Sequence, residues 1–206
     1  MLKRKYSVIV FDLGNVLIPF DYNILIEKLD EIKPGLGKYF VNTYNSNYHI
    51  HRNFERGKIS EEEFIDKMLG ILEHRIDGET FCKYFSGIFS TNNKVIKILP
   101  ILKEKYKLIL LSNTNSIHER YGWKHYAFLK YFDDLVLSHK VGSIKPEEKI
   151  YHAVEKSSGS PAEEHIFIDD IEEYVEAAKS LGWDGIHFKG YDYLVEELKS
   201  RGIIQN

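Results

Sequence analysis

Cys82 is the one cysteine among 206 residues, so no disulfide can close within the chain, which fits a reducing compartment. In a helical, aromatic-rich stretch it reads as packing rather than as a reactive thiol. Long basic stretches are absent and the net charge is −3, so nothing suggests a nucleic-acid surface. Long hydrophobic runs are absent as well. The basic opening Met1-Leu2-Lys3-Arg4-Lys5 leads only into a short apolar run ending at Asp12, too short for a signal h-region or a membrane span. A cytoplasmic protein with no membrane partner is expected. Internal repeats and low-complexity tracts are missing too. What remains is an ordinary globular composition, 43% hydrophobic and 29% charged. The length suits one well-buried domain, or a core carrying a smaller insertion.

Five short apolar runs punctuate the chain: Val8 to Phe11, Leu108 to Leu111, Leu135 to Leu137, Ile166 to Ile168 and Ile186 to Phe188. Their richness in β-branched residues and leucine suits strands buried on both faces. Helical patterns separate the later ones. One begins at Pro146 and continues through Ile150, Tyr151 and Val154. Ser160-Pro161-Ala162-Glu163 has the form of a helix start. Ile171, Val175, Ala178 and Leu181 recur at helical spacing and stop at Gly182. Alternating strand and helix predicts an α/β protein with a doubly wound parallel sheet.

Residues 20 to 93 differ. They contain no convincing strand, and Ser60-Glu61-Glu62-Glu63 caps a run with apolar positions Phe64, Ile65, Met68, Leu69 and Leu72. Gly35, Gly37, Gly57 and Gly78 mark the breaks. A helical block that long exceeds any ordinary connection, so it reads as an inserted cap (20–93) on a core formed by 1–19 and 94–206.

In such a sheet the C-terminal strand ends converge on one crevice. Asp12 follows the first run, Ser112-Asn113-Thr114-Asn115 the second, Lys145 the third and Asp169-Asp170 the fourth. Singly, each has a bland reading as a turn residue, a loop, a solvated charge or a helix cap. Together they form a set with a purpose. The carboxylates could hold Mg²⁺, a hard cation that takes oxygen ligands, while Lys145 and the Ser112 hydroxyl hold phosphoryl oxygens.

Phe11-Asp12-Leu13-Gly14-Asn15-Val16, Leu111-Ser112-Asn113-Thr114-Asn115, Lys145-Pro146 and Phe167-Ile168-Asp169-Asp170 resemble the four motifs of the haloacid dehalogenase superfamily, in order. The insertion resembles that superfamily's C1-type α-helical cap. Within it, the Asp-Leu-Gly-Asn-Val form and Glu55-Arg56-Gly57-Lys58-Ile59-Ser60 are similar to the bacterial α-D-glucose-1-phosphate phosphatase type. The resemblance implies a Rossmann-like core and a Mg²⁺-dependent phosphatase acting on a small phosphorylated metabolite, as monomer or homodimer. Asp12 would be the nucleophile, forming an aspartyl-phosphate. Ser112, Asn113 and Lys145 would bind the phosphoryl group. Asp12, the backbone carbonyl of Gly14 and Asp170 would hold the metal, with Asp169 ordering its water or Lys145.

Two positions depart from that pattern. Most family phosphatases carry a second Asp at position 14 as acid and base, a contribution typically worth ~10²–10⁴-fold. Gly14 keeps the carbonyl but moves no proton; Asp21 or a cap residue is the candidate replacement. An attenuated or non-catalytic relative that binds a phosphorylated ligand or a protein is therefore the alternative reading, with carbon–halogen hydrolysis a third. Tyr174 stands where relatives usually carry Asn, which bears on loop bracing. Tyr48, Arg52 and Phe54 are the cap candidates for substrate selection. His118 and Arg120 follow the Ser112 loop and could touch substrate or lie on a helix surface. His49 and His51 are not expected to form a metal pair, because they project differently from a helix.

Overall fold

The computed structural model describes residues 5–205; Met1 to Arg4 of the basic opening and Asn206 lie outside the described residues. Strands β1 (Val8–Phe11), β2 (Lys107–Ser112), β3 (Asp134–Leu137), β4 (His165–Asp169) and β5 (Asp184–His187) form one sheet in the order β3-β2-β1-β4-β5. Every pairing is parallel. Side chains of a strand point alternately to opposite faces, and the sequence supplies apolar groups to both. Val8, Val10, Ile109, Leu111 and Phe167 pack on one face against Ile150, Tyr151, Val154 and Ala178. Ile9, Phe11, Leu108, Leu110 and Ile168 pack on the other against Val95, Leu99, Leu194 and Leu198. Burying each such side chain contributes roughly 1.5–3 kcal/mol.

Seven helices separate β1 from β2, and the first five form one block: α1 (Tyr22–Ile32), α2 (Leu36–Ser46), α3 (Tyr48–Glu55), α4 (Glu61–Ile71) and α5 (Gly78–Ser86). Their starts are chemically marked. Asp21, Ser60 and Asp77 each accept a hydrogen bond from a first-turn N–H, at 2.9, 3.0 and 2.8 Å. Residues spaced by four then meet inside the block: Leu25 and Leu29, Leu36, Phe40 and Tyr44, Phe64 and Met68, Phe81 and Phe85. Cys82 joins this cluster, where burial pushes its thiol up to about 11, so it packs and does not react.

Short helices α6 (Asn93–Ile96) and α7 (Leu99–Lys103) return the chain to β2. A π-helical turn (His118–Trp123) follows it, and α8 (Ser138–Val141) follows β3. Helices α9 (Glu148–Ser158), α10 (Glu172–Ser180) and α11 (Tyr191–Ser200) complete the winding. Ser160-Pro161 begins only a 3-10 turn, Ala162–Glu164, because β4 takes up the chain at His165. No helix among the described residues is long and apolar enough to cross a membrane.

The helical block meets the core through apolar packing, with Ile117 in the cluster of Phe81 and Phe85 and the Phe85 ring stacked on His118 at 4.4 Å, and through polar contacts and close approaches. Arg56 pairs with Glu147 at 2.8 Å, Ser116 donates to Glu61 at 2.7 Å, and Arg120 also pairs with Glu61. Gly57, at φ +64°, brings its Cα so near that a Cβ would stand 2.6 Å from the His139 carbonyl. Any side chain there forces the two layers apart.

Candidate active site

Strand order reverses at β1: the chain runs from β1 to β2 and β3 on one side, then to β4 and β5 on the other. Ligand crevices of open α/β sheets form at such a switch point. Phe11 pairs with Ile168, and the Asp12 N–H continues the ladder to the Ile168 carbonyl at 2.9 Å. Asp12 and the Asp169-Asp170 pair are thereby set side by side. One oxygen from each of these three carboxylates lies within 4.8 Å of the others.

Lys145 enters this cluster from the loop after α8, not directly from a strand end. Its ammonium donates to Asp12 Oδ1 at 2.6 Å and to Asp169 Oδ2 at 2.5 Å, and all three residues are buried. Burial works against the charge on Lys145, but Asp12 and Asp169 more than offset it and hold the ammonium above its ordinary pKa. Burial raises the Asp12 carboxyl above the usual carboxylate range, aided by Asp169 and Asp170 and opposed by Lys145. Asp170, half-buried, is raised by burial as well and is held by the Asn15 side-chain amide at 3.0 Å. The cluster thus carries three carboxylates for one ammonium. Hard oxygen donors in that charge state fit Mg²⁺.

Asn113 contributes in a way its position alone did not suggest. Its side chain clamps the Lys145 backbone, accepting from the N–H at 2.8 Å and donating to the carbonyl at 3.1 Å. Only its backbone is left for a phosphoryl group. Ser112 is buried at the cavity floor. Tyr174 braces the same loop: its ring faces the Lys145 ammonium at 5.1 Å and its hydroxyl accepts from Asn113 at 3.5 Å. Asn15, at φ +54°, is a further contributor; asparagine tolerates this left-handed conformation, and the turn aims its amide at Asp170.

A cavity of about 180 Å³ opens above the cluster. Asp12, Gly14, Ser112, Lys145 and Asp170 line its floor, and Tyr48, Arg52, His51 and Glu55 line its wall on the α3 side. Arg52 also reaches the Lys145 carbonyl at 3.4 Å. Phe54 does not line the cavity. Its ring stacks on Phe64 at 4.3 Å inside the helical block, because it lies on the apolar face of α3. Asp21 is likewise absent from the cavity wall, being spent on capping α1. His118 is buried in the wall, whereas Arg120 is exposed. His49 is exposed and His51 buried, so the two do not converge.

This sheet, with its strand-end cluster beneath a helical layer, is the fold of the haloacid dehalogenase-like hydrolases. Residues 6–182 match that family, and the chain belongs to it. It is 27% identical over 186 residues to a D-ribitol-5-phosphate phosphatase of Bacteroides thetaiotaomicron, covering 85% of this chain and 88% of that protein. A phosphorylated carbohydrates phosphatase of Thermotoga maritima is 26% identical over 190 residues, 88% of this chain and 84% of the relative. Among solved structures, a haloacid dehalogenase family enzyme of Bacteroides thetaiotaomicron, in complex with magnesium and inorganic phosphate, is similar with a TM-score of 0.79 and 27% identity. The match covers 92% of this chain and 98% of that one.

Proposed function

We propose that this hydrolase is a Mg²⁺-dependent phosphatase of a sugar or polyol phosphate, working in the cytoplasm through an aspartyl-phosphate on Asp12. The carrying observation is the buried Asp12–Lys145–Asp169 arrangement, with Asp170 beside it, at the floor of a covered cavity. The phosphatase relatives and the magnesium–phosphate neighbour support it. In this reading residues 20–93 are the cap and residues 1–19 and 94–206 the core.

An Asp12 oxygen attacks phosphorus in line. The phosphorus–oxygen bond to the leaving group breaks, and the departing oxygen takes a proton from water. A second water then attacks the phosphorus of the acyl phosphate, releasing inorganic phosphate and restoring Asp12. Lys145, the Ser112 hydroxyl and backbone N–H groups at Asn113 hold the phosphoryl oxygens, where phosphoryl transfer draws most of its acceleration. Asp12, Asp170 and the Gly14 carbonyl would hold Mg²⁺, which when bound supplies charge neutralisation to those oxygens. Asp169 keeps Lys145 in place.

The test is phosphate release from a panel including glucose-1-phosphate, a pentitol phosphate and p-nitrophenyl phosphate, with Mg²⁺ and with EDTA. Release that stops in EDTA and returns with Mg²⁺ is expected. Release unaffected by EDTA would sink the metal assignment, and chloride release from 2-chloropropionate in EDTA would favour carbon–halogen hydrolysis instead.

Gly14 favours a second reading, binding without brisk turnover. A Cβ there would meet Phe20 Cε1 at 3.5 Å, an ordinary contact with a partly exposed ring. Gly14→Asp is therefore expected to fold and to raise turnover on alkyl phosphates by ~10-fold or more, within the usual range for acid–base help. p-Nitrophenyl phosphate, whose leaving group needs no proton, should change little. Equal change on both esters would mean that proton transfer does not limit the rate. Tight calorimetric binding of the pentitol phosphate without turnover would support the second reading.

A further inference from the structure

Lys145 reaches the carboxylate cluster through its ammonium, but its backbone is gripped from both layers of the molecule. From the core, the Asn113 side chain clamps the Lys145 N–H and carbonyl. From the helical block, Arg52 Nη2 donates to the same carbonyl at 3.4 Å. Arg56, which ends α3, holds the next part of the loop. Its Nη2 and Nε lie 2.8 and 2.9 Å from Glu147 Oε1. Glu147 passes that grip to the backbone, because its other oxygen accepts from the Ser143 hydroxyl at 2.7 Å and the Ile144 N–H at 3.2 Å. Residues four apart share a helix face, so Arg52 and Arg56 bracket Lys145 from one side.

Arg52 is aimed by its own helix. Glu55, only 6% exposed, accepts from Arg52 Nη1 at 3.0 Å through Oε2, while His51 Nε2 stands 3.1 Å from Oε1. The Tyr44 hydroxyl, 2.6 Å from His51 Nδ1, fixes that ring in turn. Burial opposes the charge on Arg52, but Glu55 and a hydrogen bond to the Tyr174 hydroxyl hold the guanidinium above its ordinary pKa. Tyr174 thus meets Arg52 and Asn113, the two side chains that share the Lys145 carbonyl. The planar guanidinium presents its donors in a rigid fork, so fixing one acceptor directs the others. Gly57, pressed against the His139 carbonyl, draws the end of α3 onto α8 just before this loop.

We propose that Arg52 and Arg56 are positioning residues for Lys145: by holding residues 143–147, they make the helical block set where the ammonium meets the transferring phosphoryl group. The block then does more than cover the cavity. Phosphoryl transfer rests on positioning and charge, so a displaced ammonium lowers the rate for every ester alike. A residue that binds ground state and transition state equally shows instead in KM, ester by ester. Arg56 separates the two cases, because it does not line the cavity and has no substrate to touch there. The inference rests on the phosphatase reading and gives neither arginine a part in bond breaking.

Arg52→Gln, Arg56→Gln and Arg120→Gln are compared with wild type as Mg²⁺-loaded enzymes on p-nitrophenyl phosphate, n-pentyl phosphate and a pentitol phosphate. Arg120 is the control: it ties the same block to the core, but its hydrogen bonds go to Glu61 and Tyr121. In the first two variants kcat should fall by one common factor on all three esters. That factor should be ~10-fold for Arg52→Gln and ~3-fold for Arg56→Gln, inside the ~10²-fold that a misplacement of about 1 Å can cost. KM of Arg56→Gln should hold within ~2-fold, since no ground-state contact is removed. Arg120→Gln should keep the wild-type kcat. If Arg52→Gln fails to fold, Arg56→Gln and Glu147→Gln carry the same comparison. An unchanged kcat in either variant, a loss confined to the pentitol ester, or an equal loss in Arg120→Gln overturns the positioning role and leaves the phosphatase reading intact. Wild type that releases phosphate from no ester overturns both.

Discussion

Asp12→Asn is expected to leave a folded protein that releases no measurable phosphate from any ester. Asparagine has the same shape, and its amide oxygen can still accept from the Lys145 ammonium, which also keeps Asp169. Asp12 sits 7% exposed, so removing its charge also removes a buried group whose ionisation burial opposes. Stability should therefore change little. Activity should fall on the order of 10⁴-fold or more, because a nucleophile acts as one unit with the groups that stabilise the transferring phosphoryl, and its loss closes the covalent route. Rapid-quench single turnover, with hydroxylamine to trap the acyl phosphate, checks both halves. Wild type should form a trappable species and the variant none. Turnover within ~10²-fold of wild type, in a variant with an unchanged melting curve, would remove Asp12 from the role of nucleophile.

Lys145→Met should do the reverse and damage the fold first. The ammonium is the one cation inside the cluster, with Asp12 at 2.6 Å and Asp169 at 2.5 Å, and its side chain is 1% exposed. Methionine fills similar space without charge, which leaves two buried carboxylates facing each other with Asp170 nearby. Breaking a buried pair by removing one partner typically costs about 3–5 kcal/mol. For a chain of this size that is roughly 6–20 °C in Tm. The sign with pH follows from the carboxyls that remain. Without Lys145 their folded-state pKa values lie above the unfolded ones, so the penalty is small where both states are protonated and grows as pH rises. Melts in EDTA should thus show a larger deficit at pH 8 than at pH 5. Mg²⁺ should raise the Tm of the variant more than that of wild type, since a cation again neutralises the cluster. An unchanged Tm in EDTA at pH 8 would mean that Lys145 does not hold these carboxylates together.

Most of the fold was legible along the chain. Each apolar run became a strand, because runs this short and β-branched bury both faces and have no polar side to leave in water. The block before β2 is helical as its periodicity requires, with Ser60 capping α4. Ser160-Pro161 misled for a local reason: a correct start signal needs room for a helix, and β4 begins at His165. Phe54 misled for a tertiary one. Position on α3 is visible in sequence, but the face that turns inward depends on where Phe64 of α4 lies.

The candidate site was legible in its members and not in its connections. Asp12, Ser112 and Asp169-Asp170 are marked by lying at or just beyond strand ends, and Lys145 by standing before Pro146 one short helix after β3. That the Asn113 side chain would be consumed in clamping Lys145, or that Tyr174 would brace the same loop by its ring, has no local signature.

By itself the sequence determined the parallel sheet, the helical insertion and the carboxylates with their lysine, because strand period, helix period and cap chemistry act over a few residues. The tertiary structure alone decided which of these groups touch, which are dry and which lack a partner. Those properties belong to distances between segments far apart in the chain, and through burial and neighbouring charges together they shift the ionisation of Asp12 and Lys145.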